Sequence, residues 1–320
     1  LVYIFKPKFK GSLNLTEYKN LKAFSLIEIS IVVLIIGVIV TGIVQSSGLI
    51  RKYRINNARS LTQSSIVSST DNLVLWLETT SADSFQSAGY SDSNPLAASS
   101  GSVAWYDLNK KNNALSTSNS PYASNPTYTL NAINGLPALS FNGSSQYLAL
   151  TDSTILAATS YTVFVVEQPA KISGTYNYFI AASGSCSVST CFAMGHGNIS
   201  SGTYTIYMSH YSNDIATTAS NITGLGYQTY KPILHSGFFT IGGSRKYFYN
   251  GTAGNSDSNA AAISSNSSMT IGNAAGLAAG FYQGMIGEII IFNRNLSTQE
   301  RWAIETYLGQ KWGITTNQQS

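Results

Sequence analysis

Charge is scarce in this chain: Asp, Glu, Lys and Arg make up 10% of its 320 residues. Histidine and cysteine are scarcer, at three and two. Two cysteines cannot build a disulfide-dense scaffold, and the Cys, His and carboxylate spacing gives no zinc signature. His196, His210 and His235 stand apart from one another and read as ordinary surface or hydrogen-bonding residues. No phosphate loop is present either, because Gly195-His196-Gly197 lacks the strand-to-helix setting and the lysine such a loop needs. The net charge of +4 comes wholly from Lys6, Lys8, Lys10, Lys19 and Lys22 set against Glu17. The rest of the chain is neutral, so no nucleic-acid partner is expected.

Against that background stands one long apolar run, from Phe24 to Val44, with a single carboxylate, Glu28, inside it. At about 1.5 Å per helical residue it spans roughly 30 Å, the hydrocarbon thickness of a bilayer. A charged residue in such a helix costs about 2.5–3.5 kcal/mol and marks a partner or a function. No proline interrupts the run, and Gly37 and Gly42 read as points of close helix packing. The small residue Ala23 precedes the run rather than following it, so cleavage there leaves the helix on the product. Leu49, Ile50, Tyr53, Ala58 and Leu61 then continue a partly one-sided apolar pattern, which predicts a helix extending to about residue 70 as an exposed stalk or a packed inter-subunit helix.

Ala23, Phe24 and Glu28, behind a Lys-rich leader, resemble the processing motif of the type IV pilins and pseudopilins. The resemblance covers the first 50 to 60 residues. It implies cleavage by a prepilin peptidase between Ala23 and Phe24, N-methylation of Phe24, and Glu28 meeting the amino terminus of a neighbouring subunit during assembly. It also implies a bacterial inner-membrane protein with its leader in the cytoplasm and its head outside. That head would be displayed on a pilus-like filament or a periplasmic secretion pseudopilus.

From Asp71 onward the pattern is short strands separated by turn signals, among them Asn134-Gly135, Asn142-Gly143 and Asn250-Gly251. Strands are expected at Leu73–Leu77, Val103–Tyr106, Ala138–Phe141, Tyr161–Glu167, Tyr204–Met208, Phe238–Gly243, Lys246–Tyr249, Met269–Gly272 and Gly287–Phe292. This suits a mainly β fold, a two-sheet sandwich or jelly roll spanning residues 71–320. Near its end Ser297 and Glu300 form a capping box for a helix whose apolar positions are Trp302, Ile304, Tyr307, Leu308 and Trp312. Gly309 and Gly313 punctuate that helix, and residues 315–320 read as a frayed tail.

The segments 134–143, 161–166, 246–251 and 287–308 resemble, in this order, the laminin G-like group of concanavalin A-like jelly rolls. Relatives of that fold hydrolyse polysaccharides with paired carboxylates. Here the strand containing Glu288 offers only Ile290 and Phe292 on the same face, and Asp107, Glu167 and Asp214 look scattered, so no enzyme is expected. Some relatives bind calcium, which stays possible, although no residue pattern marks a site. Twenty tyrosines and four tryptophans supply faces that pack in a core or stack on sugars. A loop edge near Cys186–Met194 or Tyr207–Asp214 is the candidate for glycan or protein binding. In an exported head, Cys186 and Cys191 are expected to form a local disulfide. The reading is a minor pilin or pseudopilin with a binding head. The alternatives are a membrane-anchored, lectin-like adhesin that does not assemble, and an anchored glycan hydrolase.

Overall fold

The computed structural model describes residues 25–85, 104–115, 125–152, 154–170, 176–184, 188, 190–200, 203–218, 229–258, 261–263, 267–274 and 280–320. Helix α1 runs Leu26–Ser64. Strands follow as β1 (Leu73–Glu78), β2 (Ala104–Tyr106), β3 (Asn113–Leu115), β4 (Thr127–Ile133), β5 (Leu136–Asn142), β6 (Leu148–Leu150), β7 (Tyr161–Pro169) and β8 (Asn177–Gly184). Then come β9 (Phe192–Ser200), β10 (Thr203–His210), β11 (Asp214–Thr218), β12 (Ile233–Phe239), β13 (Arg245–Tyr249), β14 (Thr252–Asp257), β15 (Ser267–Ile271) and β16 (Gln283–Phe292). Helix α2, Thr298–Trp312, closes the fold.

The strands form two sheets. The first has the order β14-β13-β12-β7-β16-β5-β4, with β1 also paired to β16; the second has the order β11-β10-β9-β8-β15-β6-β3-β2. Between them lies a core that draws Leu75, Leu77, Val163, Val165, Ile289 and Ile291 from the first sheet and Phe179, Phe192, Met194, Ile206 and Met208 from the second. Alternate residues of the first sheet, such as Trp76, Phe164, Val166 and Ile290, face a second core formed with Ala58 of α1 and Ile304, Leu308 and Trp312 of α2. Both faces of the first sheet are therefore covered, which explains why β7 and β16 are nearly continuous apolar runs rather than alternating ones. Each such side chain contributes about 1.5–3 kcal/mol through burial.

Several sequence expectations shift. The strand expected at Phe238–Gly243 is instead Ile233–Phe239, and Thr240–Ser244 is a turn with Gly242 at φ 71°. Strands β8 and β9 were not foreseen, because their Ala, Gly, Ser and Asn content masks the alternation. The capping box is present, with Ser297 Oγ accepting the Glu300 N–H and the Glu300 carboxylate accepting the Ser297 N–H. Gly313 is the left-handed C-cap, whereas Gly309 sits inside α2. Residues 315–320 are not frayed: Asn317 N–H bonds Asn250 O at 2.8 Å and Gln319 N–H bonds Gly251 O at 3.2 Å, tying the tail to the β13–β14 turn.

The chain divides into two compact units, Leu1–Leu49 and Ile50–Ser320, so the expected head boundary at residue 71 falls inside the second. Ile55, Ala58 and Thr62 of α1 are buried, while Leu49, Ile50 and Tyr53 of the anticipated apolar face are exposed. Arg59 Nε donates to Thr80 O at 2.7 Å, and Arg54 lies over the Gly135 turn. The last turns of α1 are thus part of the head rather than a free stalk.

Candidate functional site

Ala23 and Phe24 lie outside the described residues. Glu28 accepts the Ser25 N–H at 2.8 Å, and Ser25 Oγ accepts the Ile27 N–H at 3.2 Å, so the carboxylate also caps the start of α1. A Cβ added at Gly37 or Gly42 would meet nothing within 4 Å. Among the described residues, no helix is long and apolar enough to cross a membrane.

Glu288, whose own strand offers no second acid, instead meets Glu78 of the neighbouring strand β1. A bulge between Ile286 and Glu288 reverses the alternation of β16, so Ile286 and Ile289 both face the inner core and Glu288 turns toward α2. There Lys311 Nζ bonds Glu78 at 2.8 Å, Glu288 at 2.9 Å and Thr62 Oγ1 of α1 at 2.8 Å. Glu288 also accepts from Trp76 Nε1 at 2.7 Å, Tyr307 OH at 2.8 Å and Trp312 Nε1 at 2.8 Å. Burial alone would raise the Glu78 carboxyl, but the Lys311 charge and the Thr80 bonds hold it below its ordinary value. Lys311 is raised by the two carboxylates against a burial effect of opposite sign.

Inside the sandwich, Glu167 and His235 pair at 2.9 Å, Tyr247 bonds His235, and Tyr282 bonds Glu167. Burial pushes the Glu167 carboxyl well up and His235 down to about 3, so both directions favour an uncharged pair. His210 bonds the Tyr161 hydroxyl at 2.6 Å, and burial lowers it to about 3; His196 is lowered for the same first reason. All three histidines are fully buried, which corrects the surface reading, and His210 and His235 keep the hydrogen-bonding one. Glu167 and His235 have no exposed surface, so no substrate touches them in this conformation. No group of three or more His, Cys, Asp or Glu among the described residues could hold a metal ion.

The second sheet presents a different kind of surface. Tyr178, Gly195, Tyr207 and Ala216 form one cross-strand row over β8–β11, and Asp214 pairs with Ser209 two positions along on the same face. Gly195 is required at its place: a Cβ there would lie 2.3 Å from Asn177 O and 2.8 Å from the Tyr207 hydroxyl. Tyr207 meets Tyr178 edge-on at 6.0 Å, and Tyr176 stacks on Tyr178 at 5.6 Å with 8° between planes. Burial pushes the Tyr178 hydroxyl up, and Tyr176, Asp214 and Tyr211 add to this electrostatically, which places them all nearby. Tyr176 and Tyr211 are 38% and 49% exposed.

Of the two expected loop edges, Tyr207–Asp214 supplies half of this surface, its strand residues included. In the other, residues 192–194 belong to β9. Cys191 is disulfide-bonded, and Cys186, the only other cysteine, lies outside the described residues. The contribution of Tyr176 and Tyr178 was missed because nothing in the sequence placed β8 beside β9.

No protein-family model matches the chain, and no curated protein sequence does. Solved structures do match. Trypanosoma rangeli sialidase aligns at a TM-score of 0.51 and 14% identity over 75% of this chain and 33% of that one. The binding domain of Paraclostridial Mosquitocidal Protein 1 aligns at 0.50 and 12%, over 76% and 55%. Domain 4 of AbnA, an arabinanase from Geobacillus stearothermophilus, aligns at 0.48 and 13%, over 75% and 98%. The head has a concanavalin-like β-sandwich fold. The chain spans a third of the sialidase and about half of the toxin domain, and at these identities the likeness concerns fold alone. The expected two-sheet jelly roll with a C-terminal helix is the architecture found.

Proposed function

We propose that this chain is a membrane-inserted, pilin-like subunit, a minor pilin or pseudopilin, whose laminin G-like head is displayed outside the inner membrane to bind an extracellular glycan. The observation that carries the reading is the first half of α1. Every described large apolar side chain from Leu26 to Val40 is 49–88% exposed, on all sides of the helix. Such a helix needs lipid or other helices around it. In the sequence the apolar run continues to Val44, which brings it to bilayer length. Glu28 already accepts the N–H of Ser25, one residue from the amine that cleavage before Phe24 would create. That leaves the carboxylate well placed to serve a processed terminus, its own or a neighbour's. A sialidase and a toxin's binding domain share the sandwich fold, which supports a glycan-related head.

The test is the N-terminal peptide mass of the protein taken from its native membrane. A terminus at Phe24 carrying one added methyl is expected. A terminus still bearing the Lys-rich leader would instead make the chain an anchored adhesin that does not assemble.

A further inference from the structure

The turn joining β10 to β11 has an uncommon backbone. Tyr211 and Ser212 both have positive φ, 29° and 58°, and the turn is closed by His210 N–H to Asn213 O at 3.0 Å. Two-residue turns of this hand ordinarily carry Asn or Gly, because a Cβ is crowded there. Here the conformation is held from beneath by Arg245, which is fully buried. Its Nη1 bonds Asn213 O at 3.0 Å, its Nη2 bonds Asn213 Oδ1 at 3.2 Å, and its Nε bonds Asp257 at 3.0 Å. The turn is thereby fixed, yet the Tyr211 ring it presents remains half exposed. Strain maintained at a residue that contributes little to the core points to a role at the surface.

A second ring is fixed nearby by independent means. Tyr176 stacks on Tyr178, which is wedged between Tyr207 and the backbone at Gly280, where a Cβ would come within 2.5 Å of its ring. One partly exposed ring stacked on Tyr178 and another carried on a held turn thus lie near the exposed carboxylate of Asp214, which shares the face of Tyr207. Aromatic faces match the C–H faces of sugar rings, and a carboxylate accepts from their hydroxyls. Strands β8 to β11 contain no lysine or arginine, and Arg245 is committed below the turn, so among the described residues these strands offer an anionic sugar no cation.

We propose that Tyr176 and Tyr211 are stacking faces, and Asp214 a hydroxyl acceptor, for a neutral polysaccharide. This rests on the reading of the head as glycan-binding. The experiment is affinity electrophoresis of the full chain in detergent, through gels containing neutral arabinan, galactan or β-glucan, or anionic polygalacturonate. Retardation by at least one neutral polymer and not by the anionic one is expected. Tyr176→Ala and Tyr211→Ala should each weaken it about tenfold, Tyr211→Trp should recover the retardation that Tyr211→Ala loses, and Tyr53→Ala on α1 should leave it unchanged. Retardation that survives both alanine variants would overturn this site and leave glycan binding standing. Retardation by polygalacturonate alone would overturn the neutral class. No retardation by any polymer would overturn both the site and the glycan reading of the head.

Discussion

Glu78 on β1 and Glu288 on β16 are register partners on adjacent antiparallel strands, and the one ammonium of Lys311 bonds both. Two carboxylates so placed would repel each other in a sealed interior. The lysine from α2, together with hydrogen-bond donors from Trp76, Tyr307, Trp312 and Thr80, makes the arrangement stable. Because Thr62 of α1 joins the same cluster, the ion group also fastens the helix end to the sandwich.

Lys311→Met should be severely destabilising, by about 3–5 kcal/mol, since it strands two buried charges. The triple variant Glu78→Gln, Lys311→Met, Glu288→Gln should recover much of that loss. Urea unfolding followed by tryptophan fluorescence measures both. If the single variant lost less than about 1 kcal/mol, the cluster would not hold the fold together.

A fragment starting at Ile50 should be more stable than one starting at Asp71. The longer fragment keeps Ile55, Ala58 and Thr62 over the second core, whereas the shorter one exposes Leu73 and the Lys311 cluster. Comparing their thermal midpoints tests this, and equal midpoints would mean that the docked part of α1 contributes nothing.

Stability should fall as pH drops below about 6.5. The three histidines are held below their ordinary value in the fold, so the unfolded chain takes up protons first. Glu167 has the opposite sign. Its raised carboxyl contributes stability below the ordinary value of 4.5 that is lost as pH rises through the folded value. Glu167→Gln should therefore gain stability relative to the parent as pH rises above 4.5, and match it below. Unfolding midpoints of the pair across pH 4–8 provide the check. A constant difference across that range would count against a raised Glu167.

Ser297→Ala should cost about 1 kcal/mol by removing one half of the α2 capping box. Glu300 also bonds Arg294, which is first among the causes holding its carboxyl down at about 2, so the loss should stay confined to the cap. Circular dichroism during thermal unfolding would register it.

Much was legible in the sequence because the signals were local. Each Asn-Gly turn carries its own positive-φ geometry, as at Asn134-Gly135 and Asn250-Gly251. The α2 capping box needs only residues three apart, and the apolar start of α1 needs only an unbroken run. These features were fixed by chemistry within a few neighbours. The partnership of Glu78 with Glu288 was decided by a bulge near Gly287 and by the return of Lys311 on a later helix. The Tyr176–Tyr178–Tyr207 surface likewise depended on β8 pairing with β9 and β9 with β10, at a register in which Gly195 leaves room for the rings. Local chemistry sets turns, caps and helix length. The facing of a charged or aromatic side chain in a sandwich depends on register, which only long-range strand pairing determines.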